Sequence, residues 1–137
     1  MRILGIDYGD SRIGVSVSDP FGWTAQGLET IYASKGIKSV LIRLEEIILE
    51  YAIEKIVVGF PLNMNGTVGD RGIKTEKFIT LLNQKFNIPV LKWDERLTTV
   101  AAQRLMNETN VKNKKKKGLI DTISSTYILQ GYLDSIR

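Results

Sequence analysis

The chain carries 15 Asp and Glu side chains but no histidine and no cysteine. Disulfide scaffolds, thiolate zinc sites, cysteine nucleophiles and imidazole bases are therefore excluded. A hydrolase built from the remaining residue types must hold its water with carboxylates and hard, oxygen-seeking cations such as Mg²⁺ or Mn²⁺. Three acidic positions stand where such a site would need them. Asp7 closes the apolar run that starts at Arg2, Asp94 and Glu95 follow the run Ile88 to Trp93, and Asp121 falls in the first turn of a helix expected to begin at Leu119.

In an open α/β sheet, ligands collect outside the carboxyl ends of the parallel strands. If the first and fifth strands run the same way, their terminal acids meet at one edge. Each acid also has an ordinary explanation. Asp121 would be stabilised by up to ~1 kcal/mol at a helix N-terminus, Asp7 could cap a turn, and Asp94-Glu95 could be a surface pair. Their joint placement without His or Cys favours metal binding, since two cations about 4 Å apart need converging carboxylates and little else. Alternation along a strand lets only one of Asp94 and Glu95 face Asp7, and spacing leaves that choice open.

Cationic and amide-rich segments surround these acids. Lys112 and Lys114 to Lys117 place five positive charges in six residues, against a net charge of +4 for the whole chain. The basic character is thus a local patch, expected as a loop before Asp121 in which Lys114, Lys115 and Lys116 meet a polyanion. The segment from Gly59 to Gly72 is rich in Gly and Asn. Its backbone amides could approach a phosphate, with Asn63 and Asn65 as side-chain donors and Asp70 as cap of the next helix. Arg96 could clamp a phosphate in a two-pronged fork, or pair with Asp94 or Asp10. Thr98 and Thr99 read as helix caps. Asp19 ends a strand antiparallel to the first, on the order of 20 Å from Asp7, and is excluded from the site. Trp23, Phe60 and Trp93 read as core aromatics.

Hydrophobic periodicity supplies the elements that must position these groups. Arg2 to Asp7 and the alternating Ile13, Val15 and Val17 form a hairpin around Gly9-Asp10-Ser11-Arg12, and Trp23 to Tyr32 adds a third strand. Ile37, Val40, Leu41, Leu44, Ile47, Ile48 and Tyr51 fall at helical spacing. Strand 55–60, helix 71–86, strand 88–93, helix 97–107 and helix 119–135 complete the order β-β-β-α-β-α-β-α-α. Hairpins require antiparallel neighbours and the βα crossovers require parallel ones. The fold class is therefore α/β, with a mixed five-stranded sheet flanked by helices on both faces.

At 137 residues the chain suits one domain spanning 1–137. No apolar run approaches the ~18 residues of a membrane span, and the N-terminus does not read as a signal peptide. A cytoplasmic protein without a membrane partner is expected.

The segments Gly5-Ile6-Asp7-Tyr8-Gly9 with Arg12-Ile13-Gly14-Val15, then Val58 to Gly66, then Trp93 to Thr99, and finally Asp121 ahead of Ile128-Leu129-Gln130 occur in one order over nearly the whole chain. In that order the sequence resembles the YqgF (RuvX) family. The resemblance implies a ribonuclease H-like fold and a nuclease activity, described for the family both as Holliday junction resolution and as maturation of the 16S ribosomal RNA precursor. It assigns Asp7, Glu95 and Asp121 as catalytic and metal-binding acids for Mg²⁺ or Mn²⁺, preferring Glu95 to Asp94. Arg12, Asn63 and Arg96 join the lysines as nucleic-acid contacts. Two departures stand out. Ser124 and Ser125 replace small apolar residues yet remain small enough for close packing, and Asp10 replaces a Thr or Ser and adds a negative charge near the site.

Three functions compete at this level. The first is metal-dependent phosphodiester hydrolysis, with RNA favoured over a four-way DNA junction. Paired symmetric cuts require a C2 dimer, and no dimer face is legible, so a monomer or weak homodimer is expected. The second is a nucleic-acid-binding module without turnover. The third is a nucleotide phosphotransferase, because Ile6-Asp7-Tyr8-Gly9 also resembles the phosphate loop of sugar kinases and actin-like ATPases. Length opposes the third, since such enzymes close two domains around the nucleotide.

Overall fold

The computed structural model describes residues 2–97 and 114–137, with side chains for all of these except 97 and 114–121. The elements are β1 (Arg2–Tyr8), β2 (Arg12–Ser18), β3 (Ala25–Tyr32), a 3₁₀ turn (Ala33–Lys35), α1 (Ile37–Tyr51), β4 (Ile53–Phe60), α2 (Asp70–Lys85), β5 (Val90–Asp94), a 3₁₀ turn (Glu95–Leu97) and α3 (Lys114–Ser135). The strands form one sheet in the order β3-β2-β1-β4-β5. β1 pairs antiparallel with β2 and β2 with β3, while β1–β4 and β4–β5 are parallel. The expected mixed sheet is present, and β1, β4 and β5 all end at one edge.

Alternation divides the strands between two cores. Leu4 and Ile6 of β1, Ile13, Val15 and Val17 of β2, and Ile56 and Val58 of β4 pack with Val40, Leu44 and Ile47 of α1 and Phe78, Ile79 and Leu82 of α2. Ile3 of β1 and Val57 of β4 face the other way, against Ile128, Leu129 and Leu133 of α3. Each such aliphatic side chain contributes roughly 1.5–3 kcal/mol when fully buried. The helical spacing in α1 thus covers one face of the sheet, and α3 covers the other.

Beyond Ile3, the α3 face of β1 and β2 carries the small residues Gly5, Gly14, Ser16 and Ser18, which lets the helix lie close. Ser125 of α3 is fully buried there. Its hydroxyl donates to the Gly5 carbonyl at 2.8 Å, and the Ser16 hydroxyl donates to the Ser125 carbonyl at 2.9 Å. The Ser18 hydroxyl accepts the Ile3 amide at 2.8 Å. Buried hydroxyls cost free energy unless bonded, and these are bonded. Ser125 therefore permits the close packing expected of it.

Several boundaries differ from the sequence reading. Lys114–Lys117 open α3 instead of forming a loop before it; lysine has a helix propensity close to that of alanine, so nothing in this run stops the helix. Asp121 consequently lies about two turns into α3, beyond the reach of the helix dipole, and the dipole no longer explains it. Asp70 is the first residue of α2 and Gly69 its N-cap, without a side-chain cap bond. Trp23 precedes β3 and is 61% exposed, so it is a turn residue and not a core one. Helix 97–107, Thr98, Thr99 and Lys112 fall outside the described residues, apart from Leu97 in its 3₁₀ turn. Among the described residues no helix is long and apolar enough to cross a membrane.

A methyl group on Gly5 would stand 2.4 Å from the Ser16 hydroxyl and 2.7 Å from Cβ of Leu129. Gly5→Ala is therefore expected to lower unfolding stability by about 3 kcal/mol, an overpacking cost, as measured by urea denaturation. A loss under about 0.5 kcal/mol would show that α3 does not bear closely on β1.

Candidate active site

β1 presents Ile3, Gly5 and, by alternation, Asp7 to the α3 face. Asp7 is the last residue but one of β1 and is half-buried. The neighbouring parallel strand has Ile6 beside Val58, which sets Gly59 alongside Asp7 on the same face. On β5, Trp93 packs against the α3 core, so Asp94 points to the α2 face and Glu95 returns to the α3 face.

Gly59 confirms that placement. A Cβ there would lie 2.8 Å from Cγ of Glu95 and 2.4 Å from Cδ1 of Ile128. The Glu95 side chain is thus laid across the bare backbone of β4, the strand that separates β5 from β1. Strands lie about 4.8 Å apart, so this arm crosses roughly half of the two-strand distance from β5 towards β1. Position 121 of α3 is one turn before Ser125, which bonds to Gly5, and α3 runs from there past Leu129 towards Leu133. Among the described residues no group of three or more His, Cys, Asp or Glu side chains converges. Asp7 and Glu95 lie on the same face, and the Asp121 side chain is outside the described set.

Asp94 has a different task. Its carboxylate takes Nε of Arg96 at 3.0 Å and the Nη2 donor at 2.7 Å, and also accepts the Arg96 backbone amide at 3.0 Å. Those side-chain bonds, then the amide, hold the Asp94 carboxyl below the usual carboxylate range. Arg96 also donates to the Met64 carbonyl at 3.4 Å and so ties the end of β5 to the loop after β4.

In that loop Asn63 donates through Nδ2 to the Thr67 hydroxyl at 2.9 Å, and Asn65 accepts from the Thr67 amide and hydroxyl. Both side chains brace the loop in this state. Arg12 starts β2 and lines, with Asp7, Tyr8, Gly9, Asp10 and Arg71, a pocket of about 300 Å³ at the rim of the sheet. Asp10 pairs with Lys74 at 2.9 Å, so its extra charge is balanced locally. Tyr8 stacks on Phe78, and burial, followed by the Asp10 charge, raises its phenol above the ordinary value.

Asp19 is at the opposite end of β1, since Leu4 pairs with Val17. Its carboxylate accepts the Trp23 amide at 2.8 Å, the main cause of its lowered pKa. Its exclusion from the site stands. Lys114 to Lys116 lie in the opening of α3. Arg71 and Lys74 were missed by sequence reasoning, which treated α2 as a core helix; their spacing after the Gly-rich loop was the available signal.

Similarity to solved structures defines the class of fold. T. thermophilus RuvC in complex with a Holliday junction substrate matches with a TM-score of 0.62 over 99% of this chain and 95% of that one, at 14% identity. The Fowlpox virus resolvase with Holliday junction DNA matches at 0.61 over 99% of both chains, at 11% identity. This is the ribonuclease H-like fold of such resolvases. The chain belongs to the RuvX family, described as Holliday junction resolvase, whose pattern covers residues 1–135. A relative from Ruminiclostridium cellulolyticum, 59% identical over 99% of this chain and 96% of its own length, bears the name "Putative pre-16S rRNA nuclease". One from Bacillus subtilis with the same name is 50% identical over the full length of both.

The Asp94–Arg96 pair contributes stability that is present above the usual carboxylate range and is lost as pH falls through the lowered Asp94 value. Arg96→Gln is expected to move the Asp94 titration midpoint up towards the ordinary carboxylate range, read by ¹³C NMR of the carboxyl carbon. A midpoint unmoved by the substitution would contradict the pairing.

Proposed function

We propose that this chain is a metal-dependent nuclease of one domain, residues 1–137, that trims the 5′ end of the 16S ribosomal RNA precursor in the cytoplasm. The observation that supports the reading is that the Glu95 side chain lies across the bare backbone of Gly59, on the face to which β1 alternation assigns Asp7. The donor set fits Mg²⁺ or Mn²⁺, because only oxygen ligands are available. Asp7, Glu95 and Asp121 would hold the metal. When bound, such cations supply an activated water and stabilise the leaving oxygen.

The remaining residues do the binding and orienting. Asp94 fixes Arg96 against the loop after β4, which holds the strand end that carries Glu95. The lysines opening α3 collect the phosphate backbone and bring it to the helix that carries Asp121. The RNA preference rests on the names of the relatives, and a monomer or weak homodimer suffices for trimming one end. The competing reading, a four-way DNA junction, is favoured by the family description.

The test is one cleavage gel with Mn²⁺ or Mg²⁺, a labelled precursor rRNA end and a synthetic four-way junction. The RNA is expected to be cut; cutting of the junction alone would select the other substrate. Asp7→Asn should lose activity by on the order of 10²–10³-fold while retaining its circular dichroism spectrum, and Glu95→Gln should be hurt more than Asp94→Asn. An active Asp7→Asn protein, or a reversed order of Glu95 and Asp94, would remove this site assignment.

Replacing Lys114 to Lys117 by Gln retains a good helix former while deleting four charges. Nucleic-acid binding should then lose salt dependence, the slope of log K falling by about 0.7 per lost contact on single strands. Turnover at saturating substrate should change little, because such contacts bind ground and transition states alike. An unchanged slope would return these lysines to solvent.

A further inference from the structure

The pocket at the β1–β2 turn has a composition that the metal site does not explain. It is lined by Asp7, Tyr8, Asp10 and Arg12 from the turn and its flanking strands, and by Arg71 from the first turn of α2. Asp10 is already paired with Lys74. Besides Asp7 and the Asp10–Lys74 pair, the charged groups lining the pocket are the guanidinium groups of Arg12 and Arg71. Among the described residues the other arginines are engaged: Arg43, Arg96 and Arg137 hold carboxylates, and Arg2 lies over the Tyr51 ring. Arg71, exposed at the pocket wall, has no carboxylate or ring partner among the described residues.

We propose that Arg71, with Arg12, forms a subsite in this pocket for the backbone phosphodiester one nucleotide away from the bond that is cut. The inference rests on the nuclease reading of Asp7. Asp7 lines the pocket and is one of the proposed metal ligands, so a strand whose reacting phosphate sits at Asp7 brings an adjoining phosphate within reach of this pocket when it runs on past the β1–β2 turn. A guanidinium grips two phosphate oxygens at once, which makes Arg71 a register-setting contact as well as a charge. The pocket is large enough for more than a phosphate group, and its Asp10–Lys74 pair keeps a second negative charge from opposing the strand. Arg71 is a substrate-binding residue in this scheme, not a catalytic one.

The experiment compares wild type with Arg71→Ala, Arg71→Gln and Arg71→Lys, on RNA and DNA of the same sequence, in two assays. Binding is measured in EDTA as a salt titration, which needs no cleavage. Losing one phosphate contact should flatten the slope of log K by about 0.7 on single strands and about 0.9 on duplex DNA for Ala and Gln, while Lys keeps the slope. In the cleavage assay KM should rise about tenfold for Ala with kcat changed less than about twofold, as for a lost contact that is equal in ground and transition states. A fall in slope on both RNA and DNA marks recognition of the phosphodiester itself. Unchanged slope and KM in Ala and Gln would overturn the subsite. A collapse of kcat at unchanged KM would place Arg71 on the reacting phosphate and overturn the neighbouring assignment. If wild type cuts no nucleic acid, the nuclease reading fails, whereas the slopes in EDTA still decide whether Arg71 contacts phosphate.

Discussion

Helix α3 lies close to the sheet because glycines and serines stand between the larger side chains of the face it covers. Gly5 and Ser16 receive Ser125, Gly27 faces Thr122 and Thr126, Gly59 receives Ile128, and Gly131 of the helix itself lies against the Trp93 ring. A Cβ at Gly5 or Gly59 would come within 2.4 Å of its neighbour, far inside any real contact. Close packing leaves no slack for such a group, so these positions fix the distance from helix to sheet. That distance in turn sets where residue 121 stands relative to Asp7 and Glu95. Stability and chemistry are therefore coupled through the same few small residues, and Gly59 serves both by giving Ile128 and the Glu95 side chain one shared space.

The charges around the edge are arranged so that few of them compete with the proposed metal-binding pair. Asp94 is committed to Arg96, Asp10 to Lys74, and Asp19 to the turn at the other end of the sheet. These exposed pairs contribute little to stability. Asp7 and Glu95 differ from these in lying on the α3 face at the ends of their strands. Clustered carboxylates repel one another without a cation, which disfavours the site unless it binds one.

Much of this was legible in the sequence for identifiable reasons. The apolar spacing from Ile37 to Tyr51 specifies α1 at both ends, and the alternation of Ile13, Val15 and Val17 with Gly14, Ser16 and Ser18 encodes a strand with one face for aliphatic packing and one for a close helix. Spacing alone did not decide between Asp94 and Glu95; the family resemblance preferred Glu95, and the packing of Trp93 on the α3 side puts Glu95 on the face of Asp7. The start of α3 is hidden in the sequence, because a lysine run has no hydrophobic period to betray a helix. Asn63 and Asn65 looked like free donors, yet loop residues with short polar side chains often bond within their own turn, as these do with Thr67. Arg71 went unnoticed because the inward residues of α2 gave that helix a sufficient reason to exist.

The most direct examination of the central claim is a Mn²⁺ titration followed by backbone amide NMR, since a paramagnetic ion broadens the signals nearest to it. Signals of Asp7, Gly59 and Glu95 are expected to vanish first and together, at sub-stoichiometric metal, with Asp19 and the β2–β3 turn unaffected and the effect abolished in Asp7→Asn. Broadening that begins elsewhere, or that persists unchanged in Asp7→Asn, would contradict a metal site shared by the acids at the ends of β1 and β5.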